Sequence, residues 1–259
     1  MTVKLTTNLA ARRPPALISV ESPIAYQLAA EGLLEPVDDV CRAINAEGRL
    51  VDGFTLASFG AGKGTQFAVP LHHQACLLVV QQDIIDELAL GNPAQWTWDG
   101  LANAARAISE RKPGMAGYTM ALGRNLCADY HITQLIWQAG GMTWDPSANF
   151  RTVFASDATV EAFDFIRRMF SYMPRSAVEF SFLQVVDQHV TGRTGMSAYW
   201  GRTMGRAAEE AKPIFDRMEY YLNPAHPRTG MRRSWTDING WTIPRRDNPY
   251  IRETKEAVA

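Results

Sequence analysis

The chain has 259 residues, of which 46% are hydrophobic, 20% charged and 10% aromatic. Such a composition is typical of a globular protein, and the length allows one large domain or two modest domains with cores of their own. The formal net charge of −1 creates no overall field for nucleic acid or an anionic membrane, so neither is expected as a partner. No apolar run approaches the length that spans a bilayer, and residues 1–16 lack the apolar segment of a signal peptide.

The first predicted elements alternate between strand and helix. Ala16–Val20 predicts a short buried strand. Ser22 and Pro23 then favour the start of a helix, because proline is well tolerated at the first helical position, and Gly32 is expected to end it. This alternation indicates an α/β fold.

The stretch Gln66–Leu90 is expected to carry the chain from one α/β lobe into another. Phe67–Val69 predicts a strand that Pro70 stops, since proline has no N–H to donate to a ladder. Leu71–Gln74 follows as a predicted polar turn. Ala75–Val80 is a continuous apolar run ending in β-branched residues, which is typical of a strand buried on both faces.

Amphipathic helices dominate the middle of the chain. Ser156–Met173 is the longest, with Val160, Phe163, Ile166 and Phe170 expected on its inner face. An earlier helix is expected to be capped by Thr97 and to bury Trp98, Leu101, Ala105 and Ile108. Further helices are predicted over Asp129–Ala139, Arg202–Ala211 and Tyr250–Ala259, and further strands over Gly117–Leu122, Met196–Trp200 and Trp235–Pro244.

The cysteines and histidines predict no metal site. Cys41, Cys76 and Cys127 are odd in number, scattered and without a C-x-x-C pair, so we expect buried free thiols. His72 and His73 are adjacent and would point to opposite sides of an extended segment, which does not suit one metal ion. No metal and no cofactor are therefore expected.

Two motifs suggest enzymes, and both are incomplete. Gly60–Thr65 resembles the phosphate loop of adenylate kinases, but Ala57 stands where the motif needs its first glycine. A predicted strand rather than a helix follows, so no helix dipole would face a phosphate, and a nucleotide kinase is the disfavoured alternative. Gly195–Tyr199 is close to a nucleophile elbow but lacks the second glycine and a clear downstream Asp–His pair. We expect no enzymatic activity.

Several segments together resemble the extracellular solute-binding proteins of the carbohydrate type, the receptors of ABC importers. The strongest match is Trp137–Asp145, which has the pattern W-Q-A-G-G-x-x-x-D. The similar segments run from Pro15 to about Ala257 in the order of the family. They include residues 33–39, 66–90, 93–108, 182–200 and 235–244.

The resemblance implies a two-lobed α/β fold like the type II periplasmic binding proteins, with an incomplete first lobe. The first lobe would comprise residues 1–79 plus 240–259, and the second residues 80–239. Family members have an earlier strand, helix and signal peptide and continue further, so the chain is expected to be truncated at both ends. A truncated receptor-like protein without a transport role is therefore a further alternative.

The resemblance also implies a ligand and a membrane partner. A sugar would bind between the lobes, which would close on it by a hinge, and permease subunits in the membrane would recognise the closed form. The location would be periplasmic or extracellular with a lipid anchor. A sugar has an apolar C–H face and a rim of hydroxyls, which flat rings and hydrogen-bonding side chains match. The residues expected at the ligand are His72, Tyr199, Trp200, Trp235 and Trp241, whereas Trp98 and Trp137 are expected in the core.

Overall fold

The chain divides into two compact units, residues 1–74 with 237–259 and residues 75–236. The computed structural model describes residue 8 and residues 14–48, 64–145, 151–199, 201–245 and 247–259. Most of the candidate phosphate loop, residues 60–63, lies outside these ranges. The lobe boundaries of the proposed receptor, at residues 79 and 239, remain a prediction.

The secondary structure alternates along the described chain. The helices are α1 (Ser22–Ala30), α2 (Asp38–Ala46), α3 (Gln82–Glu87), α4 (Trp98–Arg111), α5 (Leu126–Gln138), α6 (Asp157–Phe170), α7 (Phe182–Val190), α8 (Arg202–Glu210), α9 (Lys212–Phe215) and α10 (Ile251–Val258). The strands are β1 (Ile18–Glu21), β2 (Val69–Ala75), β3 (Leu77–Gln81), β4 (Trp144–Asp145), β5 (Arg151–Thr152), β6 (Met196–Tyr199), β7 (Met218–Tyr221) and β8 (Thr236–Thr242).

The first unit contains a sheet with the strand order β1-β8-β2. β1 pairs antiparallel with β8, from Ile18 opposite Thr242 to Glu21 opposite Asn239. Two small apolar clusters pack around this sheet. One cluster contains Val20, Ala25, Leu28, Leu34 and Ala68, and the other contains Val37, Val40, Cys41, Ile44, Val69 and Ile243.

The predicted polar turn at Leu71–Gln74 is wrong, because β2 continues through Pro70 as far as Ala75. The missing N–H of Pro70 does not end the strand here. Among the described strands β2 lies at the edge of its sheet, and an edge strand has one side without ladder partners.

The second unit is organised around β3, the central strand of a sheet with the order β6-β3-β7. Both neighbours are antiparallel, with Val79 opposite Ser197 on one side and Tyr220 on the other. Leu78, Val79 and Val80 are almost fully buried, which confirms the prediction of a strand covered on both faces. Helices α4 to α7 contribute to one continuous core around it.

The predicted strand at Gly117–Leu122 does not form, because its first two amides donate to residues that belong to no strand. The N–H of Gly117 donates to Ser109 Oγ of α4, and the N–H of Tyr118 donates to the carbonyl of Tyr172. A Cβ at Gly117 would lie 1.8 Å from the Ala105 carbonyl oxygen, so only glycine permits this close approach to α4. Thr119 alone in this segment bridges to β6, opposite Ser197.

Helix α6 presents a different face to the core from the one predicted. Val160 and Phe163, expected inside, are 62% and 43% exposed, whereas Ile166 is buried as expected. The inward stripe instead consists of Thr159, Ala162, Phe165, Ile166 and Met169. Packing on α4 explains this choice, because Phe165 stacks on Trp98 with ring centroids 4.4 Å apart.

The two faces of α6 should respond differently to truncation. Ile166→Ala should lower the free energy of unfolding by roughly 2–5 kcal/mol, because it leaves a cavity in the core. Val160→Ala on the exposed face is the control and should change it by less than about 0.5 kcal/mol. Urea denaturation followed by far-UV circular dichroism measures both, and equal effects would show that the helix is rotated from this arrangement.

Candidate functional site

The predicted ligand residues fall into both units. His72 lies on β2 and Trp241 on β8, where Trp241 packs against the apolar cluster around Ile243. The Nε2 atom of His72 is buried and has no hydrogen-bond partner among the described residues. Tyr199 is buried on β6, and its ring stacks on Phe182 at 6.3 Å.

Trp200 lies outside the described residues, so its predicted role as a ligand contact stays a prediction. Trp235 belongs to the second unit, where the described ring contacts join it to two aromatic residues of α5 rather than to Tyr199. The ring contacts given for the described residues therefore place Trp235 against α5 and Tyr199 against Phe182.

The most organised aromatic group in the second unit is a stack of three rings. Trp235 lies nearly parallel to Tyr130, with centroids 4.4 Å apart at 16°, and to Trp137, with centroids 5.2 Å apart at 11°. Tyr130 and Trp137 are seven residues apart on α5 and therefore share one face of the helix. Two rings that lie two turns apart on α5 thus pack against Trp235, which comes from a distant part of the chain.

The backbone of Trp235 is fixed by hydrogen bonds at both its N–H and its carbonyl. Its N–H donates to Gln134 Oε1 at 3.1 Å, and its carbonyl accepts from the N–H of Cys76 at 2.9 Å. Gln134 lies between Tyr130 and Trp137 on the same stripe of α5 and is 3% exposed. The Nε1 atom of the Trp235 indole is buried and finds no acceptor in the described part of the chain.

A second buried amide, Asn223, ties together the segment that precedes Trp235. Its Nδ2 donates to the Cys76 carbonyl and to Ser234 Oγ, both at 2.8 Å. The backbone carbonyl of Asn223 accepts from the guanidinium of Arg232 at 3.0 Å. Because a buried polar group without a partner is costly, these bonds hold residues 223–235 in one conformation.

A third amide, Gln138, completes the support from the end of α5. Its Oε1 accepts from Trp98 Nε1 at 2.6 Å, and its Nε2 donates to the Arg233 carbonyl at 2.7 Å. The ring of His226 packs edge-on against Trp98, with centroids 4.5 Å apart. His226 accepts from the N–H of Thr229 at Nδ1, so it holds its proton on Nε2, 2.9 Å from Glu161.

Flat rings beside amide groups can hold a flat polar ligand in a fixed orientation. An aromatic face attracts C–H groups, and amides both donate and accept hydrogen bonds. The sequence analysis did not single out Tyr130, Gln134 and Asn223, the buried residues that support the segment of Trp235, and it assigned Trp137 to the core. The spacing of Tyr130, Gln134 and Trp137 at i, i+4 and i+7 was the available signal, but the same spacing is typical of core packing.

The near nucleophile elbow contains a serine–histidine pair that is sealed from solvent. Ser197 Oγ lies 3.1 Å from His189 Nδ1, and both residues are 0% exposed. Burial lowers the pKa of His189 to about 4. Ser197 also lies within β6 rather than at a strand-to-helix turn, so the hydroxyl is not presented to a substrate.

The arrangement of strands and helices in the two units is the fold of the type II periplasmic binding proteins, which confirms the predicted α/β class. The chain belongs to the family of bacterial extracellular solute-binding proteins, whose family model matches residues 1–240. The predicted family is therefore confirmed. No curated protein matches the chain. Within the described residues, no helix combines the length and apolar character needed to cross a membrane.

Solved structures of similar fold include three with bound ligands. They are an ABC transporter solute-binding protein of Thermotoga lettingae TMO bound with α-D-tagatose (TM-score 0.88, 18% identity), the maltose-bound MalE3 of T. maritima (0.86, 20%) and a sugar transporter of Arthrobacter chlorophenolicus A6 with bound laminaribiose (0.83, 17%). Each match covers 99% of this chain but only 65%, 63% and 63% of the respective relative. At these identities the likeness concerns the fold.

The amide of Asn223 should contribute measurably to stability. Asn223→Ala removes the donor to the buried Cys76 carbonyl and should lower the free energy of unfolding by roughly 1–3 kcal/mol. Asn103→Ala, on the exposed side of α4, is the matched control and should change it by less than about 0.5 kcal/mol. Chemical denaturation of the two variants gives the comparison, and a neutral Asn223→Ala would mean that the network contributes little.

Stability should also fall in acid because of two buried histidines. Burial lowers the pKa of both His131 and His189 to about 4, against about 6.5 in an unfolded chain. The unfolded state therefore takes up protons first, and the stabilisation present above about pH 6.5 is lost as pH falls towards about 4. The melting temperature of His189→Asn should drop less than that of the wild type between about pH 7 and about pH 5. An unchanged pH dependence in this variant would contradict the assignment.

Proposed function

We propose that this chain binds a carbohydrate as the receptor component of an ABC importer. The observation that carries the proposal is the half-buried ring of Trp235, which Tyr130 and Gln134 hold in position in a chain of the solute-binding family. Sugar rings bind to such surfaces because their C–H faces pack on aromatic rings while their hydroxyls need polar partners.

The ligands named for structural relatives support the carbohydrate class. The three relatives described above carry α-D-tagatose, maltose and laminaribiose, which range from one sugar ring to two. His72, Tyr199, Trp200 and Trp241 remain proposed ligand contacts in addition to Trp235.

The wider transport role rests on the family. Its members are extracellular binding proteins, so we place this chain outside the cytoplasm, with a permease in the membrane as its partner. The two compact units would act as the two lobes, and a lipid anchor is part of the same proposal. Ligand binding would supply the energy that favours one conformation over the other.

A sugar-binding test separates this proposal from the nucleotide alternative. Calorimetry with a panel of mono- and oligosaccharides should reveal a ligand, and that ligand should raise the melting temperature. ATP with magnesium should not raise it. A shift with ATP and none with any sugar would favour the kinase reading of residues 60–65.

The stack should account for part of the affinity. Trp235→Ala should weaken sugar binding by roughly ten-fold to a hundred-fold, because a ring stacked on the ligand contributes on the order of 1–3 kcal/mol. Trp144→Ala is the control, since Trp144 is 41% exposed on β4 and makes no described contact with the stack. Equal affinities in the two variants would place the ligand elsewhere. The melting temperature of each variant identifies any loss that comes from unfolding.

A further inference from the structure

A cavity of about 410 Å³ lies at the C-terminal end of α5 within the second unit. It is lined by Trp137, Gly140, Gly141, Met142, Met231 and Arg233. The volume lies in the range of small-molecule sites. Of the three stacked rings, the cavity includes Trp137 but neither Tyr130 nor Trp235, which is the proposed sugar contact.

Hydrogen bonds from the loop at residues 228–233 fix the wall of this cavity. Thr229 Oγ1 donates to the Gln138 carbonyl at 2.6 Å, and Arg228 donates to the Ala139 carbonyl at 3.1 Å. In the other direction, Gln138 Nε2 donates to the Arg233 carbonyl. Gly140 has a φ of 90°, which ends α5 and leaves backbone rather than a side chain on this wall. The cavity is therefore preformed by backbone that is already bonded.

The side chains that line the cavity are available to a ligand. Met142 and Met231 are 46% and 38% exposed, so their side chains are open to a ligand. The guanidinium of Arg233 makes no ion pair or hydrogen bond with the residues that the structure describes. The neighbouring Arg232, by contrast, uses its guanidinium on the carbonyls of Asn223 and Trp96.

The charge of the lining residues indicates that the ligand is negatively charged. Of the described residues that line the cavity, Arg233 alone is charged. A larger groove nearby, of about 530 Å³, has charges of both signs that already pair with each other, as Arg168 does with Asp99 at 2.8 Å. An anion therefore gains a partner in the first cavity and competes with existing ion pairs in the second.

We propose that this cavity is a second ligand site, which takes a small aromatic carboxylate. The carboxylate matches the fork of the Arg233 guanidinium, which donates two parallel hydrogen bonds. The aromatic ring packs on Trp137, and the thioethers of Met142 and Met231 contact its edge. The three kinds of lining group are thus all used by one ligand class. This site does not depend on whether the chain binds a sugar.

The test uses 4-fluorobenzoate as the probe and follows its ¹⁹F signal on titration with the full chain. The wild type should broaden and shift the signal, and 4-fluorobenzamide, which lacks the charge, should bind roughly ten-fold more weakly. Arg233→Gln should weaken benzoate binding by about the same factor, because it removes the ion pair. Met142→Glu should also weaken it, since the new carboxylate repels the probe.

Arg167→Gln is the matched control, because Arg167 is an exposed arginine of α6 outside this cavity. It should leave benzoate binding unchanged, and all three variants alter exposed side chains, so their melting temperatures should match that of the wild type. No broadening by the wild type, equal binding of the benzamide, or equal loss in Arg233→Gln and Arg167→Gln would overturn the proposal. Sugar affinity, measured in parallel, reports on the other site separately.

Discussion

Three buried amides, Gln134 and Gln138 on α5 and Asn223, hold residues 223–235 in place, and the second unit's site depends on this constraint. A side-chain amide donates and accepts, so each of these residues can join partners that are distant in sequence. Gln138 joins Trp98 to the Arg233 backbone, and Gln134 accepts from the backbone of Trp235. Removing one partner leaves the other buried and unsatisfied, which makes the arrangement cooperative.

The amides decide where the aromatic rings lie. With its backbone held at both ends, Trp235 is placed across α5, where it stacks on Tyr130 and Trp137. Rings that are already ordered lose little conformational freedom when a ligand arrives, so less of the binding energy is spent on ordering. Trp137 also lines the cavity at the end of α5, so one ring contributes to the stack and to the proposed carboxylate site.

Sequence reasoning failed where local pattern and tertiary packing disagree. Helix α6 has apolar residues on more than one side, so its periodicity allowed Val160 and Phe163 to point inward. The stacking of Phe165 on Trp98 selected the other face. Pro70 was expected to stop a strand, but it is tolerated because β2 lies at the edge of its sheet among the described strands. The amides of Gly117 and Tyr118 donate to Ser109 and Tyr172, so neither amide is available to a neighbouring strand.

The sequence alone determined the α/β class, the family, most helix positions and the buried character of β3. These features depend on local signals, such as the cap at Thr97 and the apolar run of β3, and on motifs such as Trp137–Asp145. The tertiary structure alone decided that Tyr130, Gln134 and Asn223 lie beside Trp235. Tyr130 and Trp235 are over a hundred positions apart in the chain, and their contact depends on hydrogen bonds between buried side chains and a distant backbone. Neither the periodicity nor the spacing of residues in the sequence predicts such bonds.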